Sequence, residues 1–179
     1  MAIEFSVAWC MPSRWTFSMR PVSDFLDRWL IGATVIADPF SGKSLRGTLR
    51  NDLGFGGIGA AEWAEQLDSE SCDAVLFDPP YSPRQISECY KSIGRKAHTE
   101  DTQNAVLYAR VRAPLLRALK PGGIAISAGW QSGGFGRAME TLAILLVQHG
   151  GAHNDTILVA QRKPFDLLSA GVRINQEDV

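Results

Sequence analysis

The sequence is poor in cysteine, and this shortage already excludes some kinds of protein. Its 179 residues hold three cysteines with no Cys-x-x-Cys pair among them: Cys10, Cys72 and Cys89. That spacing predicts neither a zinc site nor a disulfide framework. It favours buried or idle thiols in a reducing compartment. The histidines at 98, 149 and 153 also lack metal-ligand spacing, so we expect no metal site.

Neither sign of charge is in excess, and no apolar run is long. Lys and Arg number 18 and Asp and Glu number 19, which gives a net charge of −1. This balance argues against a protein that lives permanently on nucleic acid, although a local basic cluster could still bind it. No apolar run has the length of a membrane span, and the first residues lack a signal-peptide pattern. We therefore expect a cytoplasmic protein.

The length and the order of the predicted elements indicate one α/β domain. Residues 1–179 are enough for a single domain with its own core, and the tail at 164–179 is expected to be partly loose. Apolar periodicity predicts helices over 22–31, 60–67 and 105–119, and strands over 33–37, 48–52, 74–77, 124–127, 141–147 and 156–161. Alternating strands and helices predict a mostly parallel sheet, and the last two strands predict an antiparallel hairpin.

Two of the predicted helices carry specific expectations. The helix over 22–31 places Phe25, Leu26 and Trp29 on one face. The helix over 105–119 is expected to present Ala109 and Ala113, with Val106 and Leu116, toward the core and to be interrupted near Pro114. The Lys-Pro-Gly-Gly run at 120–123 would end it in a tight turn.

Three carboxylates lie at the carboxyl ends of predicted strands: Asp38, Asp52 and Asp78. Parallel strands joined by right-handed crossovers bring these ends to one edge of the sheet. Ligands of such sheets bind there, at the point where the strand order reverses. The three acids are therefore the first candidates for a functional site.

The turn at 37–44 allows two interpretations. Its last residues, Gly42-Lys43-Ser44, match the end of a phosphate-binding P-loop. A P-loop needs free backbone N–H groups, and Pro39 removes one, while the bulky Phe40 replaces a flexible position. An NTPase is therefore the disfavoured alternative.

Asp78-Pro79-Pro80-Tyr81 gives the second interpretation. Taken alone, this tetrad could be a rigid surface turn. It resembles motif IV of the amino-methyltransferases, above all those that methylate adenine N6 in DNA, and Asp38-Pro39-Phe40-Ser41-Gly42 resembles their first motif. The stretch 78–85 is similar to small phage and prophage enzymes of this family. The resemblance covers roughly residues 11–163, with motifs in the order X, I, IV called gamma, and implies a Rossmann-like class I methyltransferase fold with helices on both sheet faces.

The resemblance also implies a cofactor, S-adenosylmethionine, and the residues that hold it. Asp38 would lie near the methionine end and Asp52 would hydrogen-bond the ribose hydroxyls. The whole implied set is Ser18, Asp38, Pro39, Phe40, Ser41, Gly42, Asp52 and Asp78. Ser18 belongs to a segment that resembles motif X, and the same segment could simply start a helix capped by Ser23 or Asp24. The residue beside the cofactor's adenine stays open between Glu62 and a backbone contact.

In the family, the tetrad activates an amine whose lone pair is delocalised into its ring. The side chain of Asp78 and the carbonyl of Pro79 would accept its two N–H groups, Pro80 would stiffen the loop, and Tyr81 would stack on the base. A base in a duplex must first be flipped out. The alternatives are methylation of RNA adenine or of DNA cytosine N4, and a cofactor-binding subunit of a DNA-modifying complex.

We expect no separate target-recognition domain within these 179 residues. The candidate for contact with DNA is the stretch 82–104, and the residues expected to bind substrate are Tyr81, Ser82, Arg84, Lys91, Arg95 and Lys96. The same stretch could be only a solvated loop of the active site. We therefore expect short or relaxed sequence specificity, unless a specificity partner or a homodimer supplies more.

Overall fold

The computed structural model describes residues 2–80, 91, 94, 104–151 and 153–165, with the backbone alone at 104–107. The strands are β1 (Glu4–Trp9), β2 (Ile36–Asp38), β3 (Leu49–Arg50), β4 (Cys72–Phe77), β5 (Leu119–Gly129), β6 (Glu140–Gln148) and β7 (Thr156–Arg162). The helices are α1 (Arg20–Trp29), α2 (Ala60–Glu65) and α3 (Asn104–Ala118), with 3-10 turns at Thr16–Ser18 and Leu53–Phe55. Most of the predicted tail, from residue 166 onward, lies outside the described residues.

All seven strands form one sheet in the order β1-β6-β7-β5-β4-β2-β3. Neighbouring strands run parallel, except that β7 is antiparallel to both β5 and β6. The predicted α/β architecture and its carboxyl-terminal hairpin are thus confirmed. Strand β1 was not predicted, although Phe5, Val7 and Trp9 alternate with smaller or polar residues at the period of a strand.

Helices cover both faces of the sheet. On one face, Val22, Phe25 and Leu26 of α1 pack on alternate residues of β4, β5, β6 and β7. On the other face, α2 and α3 pack on residues of β2, β4 and β5, with Phe77 as the largest fully buried side chain. No helix in the described part of the chain is long and apolar enough to cross a membrane.

Helix α1 forms as expected, but its start differs from the prediction. The helix begins at Arg20, its N-cap is Met19, and no side chain caps it. Pro21 stands in the first turn, where its missing N–H costs nothing because that group would have no helical partner. Ser23 and Asp24, the expected caps, lie inside the helix.

Helix α3 corrects two predictions. It runs without a break from Asn104 to Ala118 with Pro114 inside it. Its buried face carries Val111 and Leu115, whereas Ala109 and Ala113 are exposed. Burial of that face offsets the backbone hydrogen bond that proline removes. The small alanines made the face ambiguous in the sequence.

Two connections between strands lack the helix that the fold class led us to expect. Residues 39–48, between β2 and β3, and residues 130–139, between β5 and β6, form turns and no helix. The Lys-Pro-Gly-Gly run does end α3, but β5 starts at once, and its register against β4 breaks between Cys72 and Ala74.

A partly exposed hydrogen-bond network at Asp73 joins the start of β4 to the residues just before β2. One carboxylate oxygen accepts bonds from Thr34 N, Thr34 Oγ1 and Val35 N at 2.8–3.0 Å. The other accepts from Lys120 Nζ at 2.6 Å. The Lys120 ammonium and these N–H and O–H donors hold the pKa of Asp73 well below its usual range.

Asp73→Asn should lower the free energy of unfolding at pH 7 by about 1–3 kcal/mol, because hydrogen bonds to a charged acceptor are lost. The folded-state pKa lies below that of the unfolded chain, so the difference between wild type and variant should shrink as the pH falls below about 4. Urea unfolding at pH 7 and pH 3 measures both. Asp68→Asn, at an exposed position, is the matched control; an equal loss there would refute the role of the network.

Candidate active site

The three strand-end carboxylates lie together at one edge of the sheet. Asp38 ends β2, Asp52 follows β3, and Asp78 follows β4. Strand β2 stands between β3 and β4, and the charges of Asp52 and Asp78 both act on Asp38. The chain leaves β2 on one side to form β3 and returns on the other as β4, so the acids mark the reversal of strand order where ligands bind. The predicted grouping is confirmed.

Asp38 is fully buried and only half satisfied. Its Oδ1 accepts a bond from Phe40 N at 3.2 Å, while Oδ2 has no partner among the described residues. Burial raises the pKa of Asp38 to about 8, and the neighbouring carboxylates of Asp78 and Asp52 add to the rise. A buried acceptor of this kind is a site prepared for a cation or an N–H donor.

Asn51 holds the loop after Asp38 in place. Its buried side chain donates to the carbonyl oxygens of Ile58, at 3.0 Å, and Pro39, at 3.4 Å, and accepts from Ile58 N at 3.0 Å. Its backbone N–H donates to the Asp38 carbonyl and its own carbonyl accepts from Ser41 N. Asn51 therefore joins the two loops that flank the site.

Asp52 braces the same loop with its carboxylate. One oxygen accepts from Gly42 N at 2.9 Å and the other from Gly54 N at 2.8 Å. A carboxylate has lone pairs for further donors, so these bonds leave it able to accept from a ligand hydroxyl. Asp52 thus shapes the loop as well as offering an acceptor.

Gly42 lies directly against the ring of Trp15. Its φ is +51°, and a methyl group in place of its hydrogen would lie 2.6 Å from a ring carbon of Trp15. Lys43 places its ammonium 5.6 Å from the Trp15 ring centre. Residues 39–48 contain no helix, so this turn lacks the helix N-terminus that a P-loop uses to hold phosphate.

An open cavity of about 540 Å³ adjoins this loop. Its volume falls in the range of small-molecule sites, ~300–1,000 Å³. The cavity is lined by Ser41, Gly42, Thr48, Arg50, Asn51, Asp52, Phe55, Gly56 and Gly57. The Asp52 carboxylate can accept hydrogen bonds, and the glycines of the lining let a ligand lie close to the backbone. The cavity therefore suits a polar ligand with hydroxyl groups.

The loop after β4 is supported from below by an aromatic cluster. Phe77, the last residue of β4, contacts Phe40 at 5.6 Å and Tyr108 at 5.7 Å between ring centres. The Tyr108 hydroxyl donates to the Pro80 carbonyl at 2.8 Å, and burial raises the pKa of Tyr108 to about 12. Asp78 and Pro79 are therefore held on a rigid base.

The structure brings together most of the predicted cofactor residues, but not all of them. Asp38, Asp52 and Asp78 meet, with the loop 39–42 between the first two. Ser18 is exposed and donates to the Trp15 carbonyl at 2.7 Å. Glu62 is exposed on α2.

The predicted substrate side of the site is described only in part. Lys91 is exposed. The remaining predicted residues lie outside the described ones: Tyr81, Ser82, Arg84, Arg95 and Lys96.

Three residues of the site were not predicted: Trp15, Asn51 and Tyr108. Asn51 lies beside a predicted strand end, so its position gave a usable signal. Tyr108 is at helical spacing from Val111 and Leu115, but nothing in the sequence links it to Pro80.

His149 has a structural role. Its ring nitrogens contact the Cys10 carbonyl at 2.7 Å and Thr156 Oγ1 at 2.9 Å. Within the described ranges, no group of three His, Cys, Asp or Glu side chains is placed to hold a metal ion.

Comparison with solved structures identifies the fold. TrmN from Thermus thermophilus superposes with a TM-score of 0.52 at 15% identity over 81% of this chain, which spans 49% of the length of TrmN. The 1,6-didemethyltoxoflavin-N1-methyltransferase of Burkholderia thailandensis, solved with bound 1,6-didemethyltoxoflavin and S-adenosylhomocysteine, gives a TM-score of 0.50 at 15% identity, covering 81% of this chain and 77% of that one. No protein-family model and no curated protein matches the sequence. The chain has the Rossmann-like fold of class I methyltransferases.

Asp38→Asn should stabilise the free protein, and the gain should depend on pH. The folded protein keeps a proton on Asp38 up to a pKa of about 8, whereas the unfolded chain loses it near ~4. Wild-type stability should therefore fall through this window and level off above it, while the variant should not show this fall. The expected gain at pH 8 is on the order of a few kcal/mol.

Urea unfolding at pH 5, 7 and 9 measures this gain, with Asp24→Asn at an exposed position as the control. A gain that stays constant across these pH values would contradict a buried carboxyl with a raised pKa.

Proposed function

We propose that this protein transfers a methyl group from S-adenosylmethionine to the N6 amino group of adenine in DNA. The observation that carries the proposal is the pairing of two loops at the reversal of strand order. The Asp38 loop offers an unsatisfied buried acceptor, and Asp78-Pro79-Pro80 stands across from it on a rigid base. The Asp38 loop suits a cofactor, and the Asp78-Pro79-Pro80 loop suits the amine that would accept the methyl group.

The residues present fit S-adenosylmethionine. The orphan Oδ2 of Asp38 matches an ammonium group, because a cation would satisfy the acceptor and stabilise the charged carboxylate. Asp52 borders the cavity and can accept from ribose hydroxyls. When bound, the cofactor would supply an activated methyl group. The bound S-adenosylhomocysteine of the toxoflavin-type enzyme supports this cofactor by likeness of fold.

The acceptor side of the reaction depends on the loop after β4. Asp78 carries a carboxylate directly after β4, and the Pro79 carbonyl follows it in the same loop. These two acceptors can take the two N–H groups of an exocyclic amine and draw its lone pair away from the ring. Proline rings and the Tyr108 bond to Pro80 fix the loop before substrate arrives, so little reorganisation is needed.

The choice of adenine in DNA is the finer part of the proposal. It rests on the resemblance of Asp78-Pro79-Pro80-Tyr81 and of the loop 38–42 to the adenine-N6 enzymes. We expect a short or relaxed target sequence, because the basic residues expected to contact DNA lie in the one stretch 82–104. A flipped or single-stranded adenine is the expected substrate form.

Purified protein incubated with S-adenosylmethionine and unmethylated DNA should produce N6-methyladenine, measured by nucleoside mass spectrometry. Asp78→Ala should lower the rate at least about a hundredfold, because one of the two amine acceptors is lost. Asp78→Asn should lose less, because its amide oxygen still accepts one bond. Asp68→Asn, at an exposed position outside the site residues, should match wild type.

The products of the same experiment separate the alternatives. Methylated cytosine in the DNA would identify cytosine as the substrate. In a parallel incubation, label in RNA and none in DNA would identify RNA as the substrate. Both results would leave methyl transfer as the reaction. No transfer to any nucleic acid by a protein that binds the cofactor would favour a cofactor-binding subunit instead.

Calorimetry should show binding of S-adenosylmethionine and none of ATP with Mg²⁺. Near pH 7 the binding should release protons, because Asp38 passes from its neutral form to a carboxylate paired with the ligand. Asp38→Asn should bind at least about tenfold more weakly and without this release. Titrations in two buffers of different ionisation enthalpy measure the protons; tight binding of ATP would instead point to an NTPase.

A further inference from the structure

Strand β1 forms an edge of the sheet that lacks the usual protection. It runs for six residues, pairs with β6 on one side, and pairs with none of the described residues on the other. Natural edge strands are kept short, bulged or charged to prevent pairing with other chains. The opposite edge obeys this rule, because β3 has only two residues. β1 does not: it has no bulge, no lysine and no proline.

The outer side of β1 presents regular backbone donors and acceptors. Cys10 N donates to the Gln148 carbonyl, which places the even-numbered N–H and C=O groups on the β6 side. The groups of Phe5, Val7 and Trp9 therefore point away from the sheet, because they alternate along a strand. These are the groups that a further strand would pair with.

The same odd-numbered residues carry large exposed apolar side chains. Phe5 is 63% exposed, Val7 52% and Trp9 65%, and Ile3 and Met11 continue the alternation. These side chains lie on the sheet face that α2 and α3 cover at β2, β4 and β5. The connection after β5, residues 130–139, forms no helix, so no helix there covers this face near β1. Together these side chains expose several hundred Å² of apolar surface, the size at which a patch marks an interaction site.

We propose that β1 pairs antiparallel with β1 of a second copy of this chain, about a two-fold axis at Val7. In this register Val7 faces Val7 of the other copy, and Phe5 faces Trp9. Each of these residues turns its backbone groups outward, so all of them form hydrogen-bonded pairs. The strand is thus complementary to itself, as a two-fold interface requires.

The side chains agree with this register. Phe5 beside Trp9 makes an aromatic cross-strand pair on the apolar face. On the other face Ser6 meets Ala8 and Glu4 meets Cys10, so no like charges are opposed. Glu4 already pairs with Arg28 of its own chain at 2.6 Å. A nucleic-acid partner fits this edge poorly, since β1 carries no cation.

The pairing would leave the candidate active sites apart. The acids lie around β2 and β4, at the other end of the strand order from β1. Dimer formation therefore needs neither cofactor nor substrate, and its test does not depend on the proposed methyl transfer.

Sedimentation velocity of wild type without ligand should show a species of twice the 19.5 kDa chain mass. Val7→Lys should weaken the dimer at least about tenfold, because two like charges then meet on the axis. Val7→Pro removes only the outward N–H and should act in the same direction while β1 keeps its bonds to β6. Ile31→Lys, on an apolar residue 83% exposed outside β1, is the matched control and should stay dimeric. Thermal melts confirm that each variant is folded.

Cysteine cross-linking tests the register, in a background with Cys10 and Cys89 replaced by serine. Val7→Cys should form a disulfide with its own copy, since opposed Cα atoms lie about 5.5 Å apart. Phe5→Cys and Trp9→Cys should cross-link when mixed and not alone. Three results would each overturn the proposal. They are a wild type that stays monomeric at submillimolar concentration, a dimer that Val7→Lys does not weaken, and cross-links in another register.

Discussion

The parallel pairing of β2 with β4 is the constraint on which the rest of the site depends. It sets Ile36 beside Ala74 and Ala37 beside Val75, so the residues that follow, Asp38 and Asp78, emerge at the same edge. Asp73 fixes this register from the other end by binding the backbone just before β2. A slip of β4 by one residue against β2 would turn Asp78 to the opposite face of the sheet from the one it now shares with the site.

Because this pairing is fixed, the site can hold an energetically costly group. Asp38 is buried with one oxygen unsatisfied, and its proton is retained to a pKa of about 8. Asn51 and the Asp52 carboxylate tie the surrounding loops by bonds of their own, so the structure does not relax around the acid. Such prepared acceptors cost stability in the free protein and lower the cost of binding a cation.

The described part of the chain reaches this arrangement with three helices and two turn connections. Turns replace a helix after β2 and again after β5, which leaves the loop at Gly42 packed on Trp15 and leaves the outer sheet face at Phe5 and Trp9 open. The edge of the candidate site is therefore held by side-chain contacts while the sheet edge at β1 stays available. The proposed self-pairing of β1 would extend the sheet across that edge.

The sequence by itself determined the alternation of strands and helices, the carboxylates near the carboxyl ends of three strands, and the hairpin of β6 and β7. These follow from period, chain order and turn chemistry, which depend on neighbours in the chain. Only the tertiary structure decided which face of α3 is buried and that α1 begins after Met19, with no side-chain cap. It alone also showed that Trp15, Asn51 and Tyr108 support the site. Those facts depend on contacts between distant segments, where packing overrides local preference. The half-satisfied state of Asp38 belongs to the same group, because burial and hydrogen bonding are properties of the folded chain.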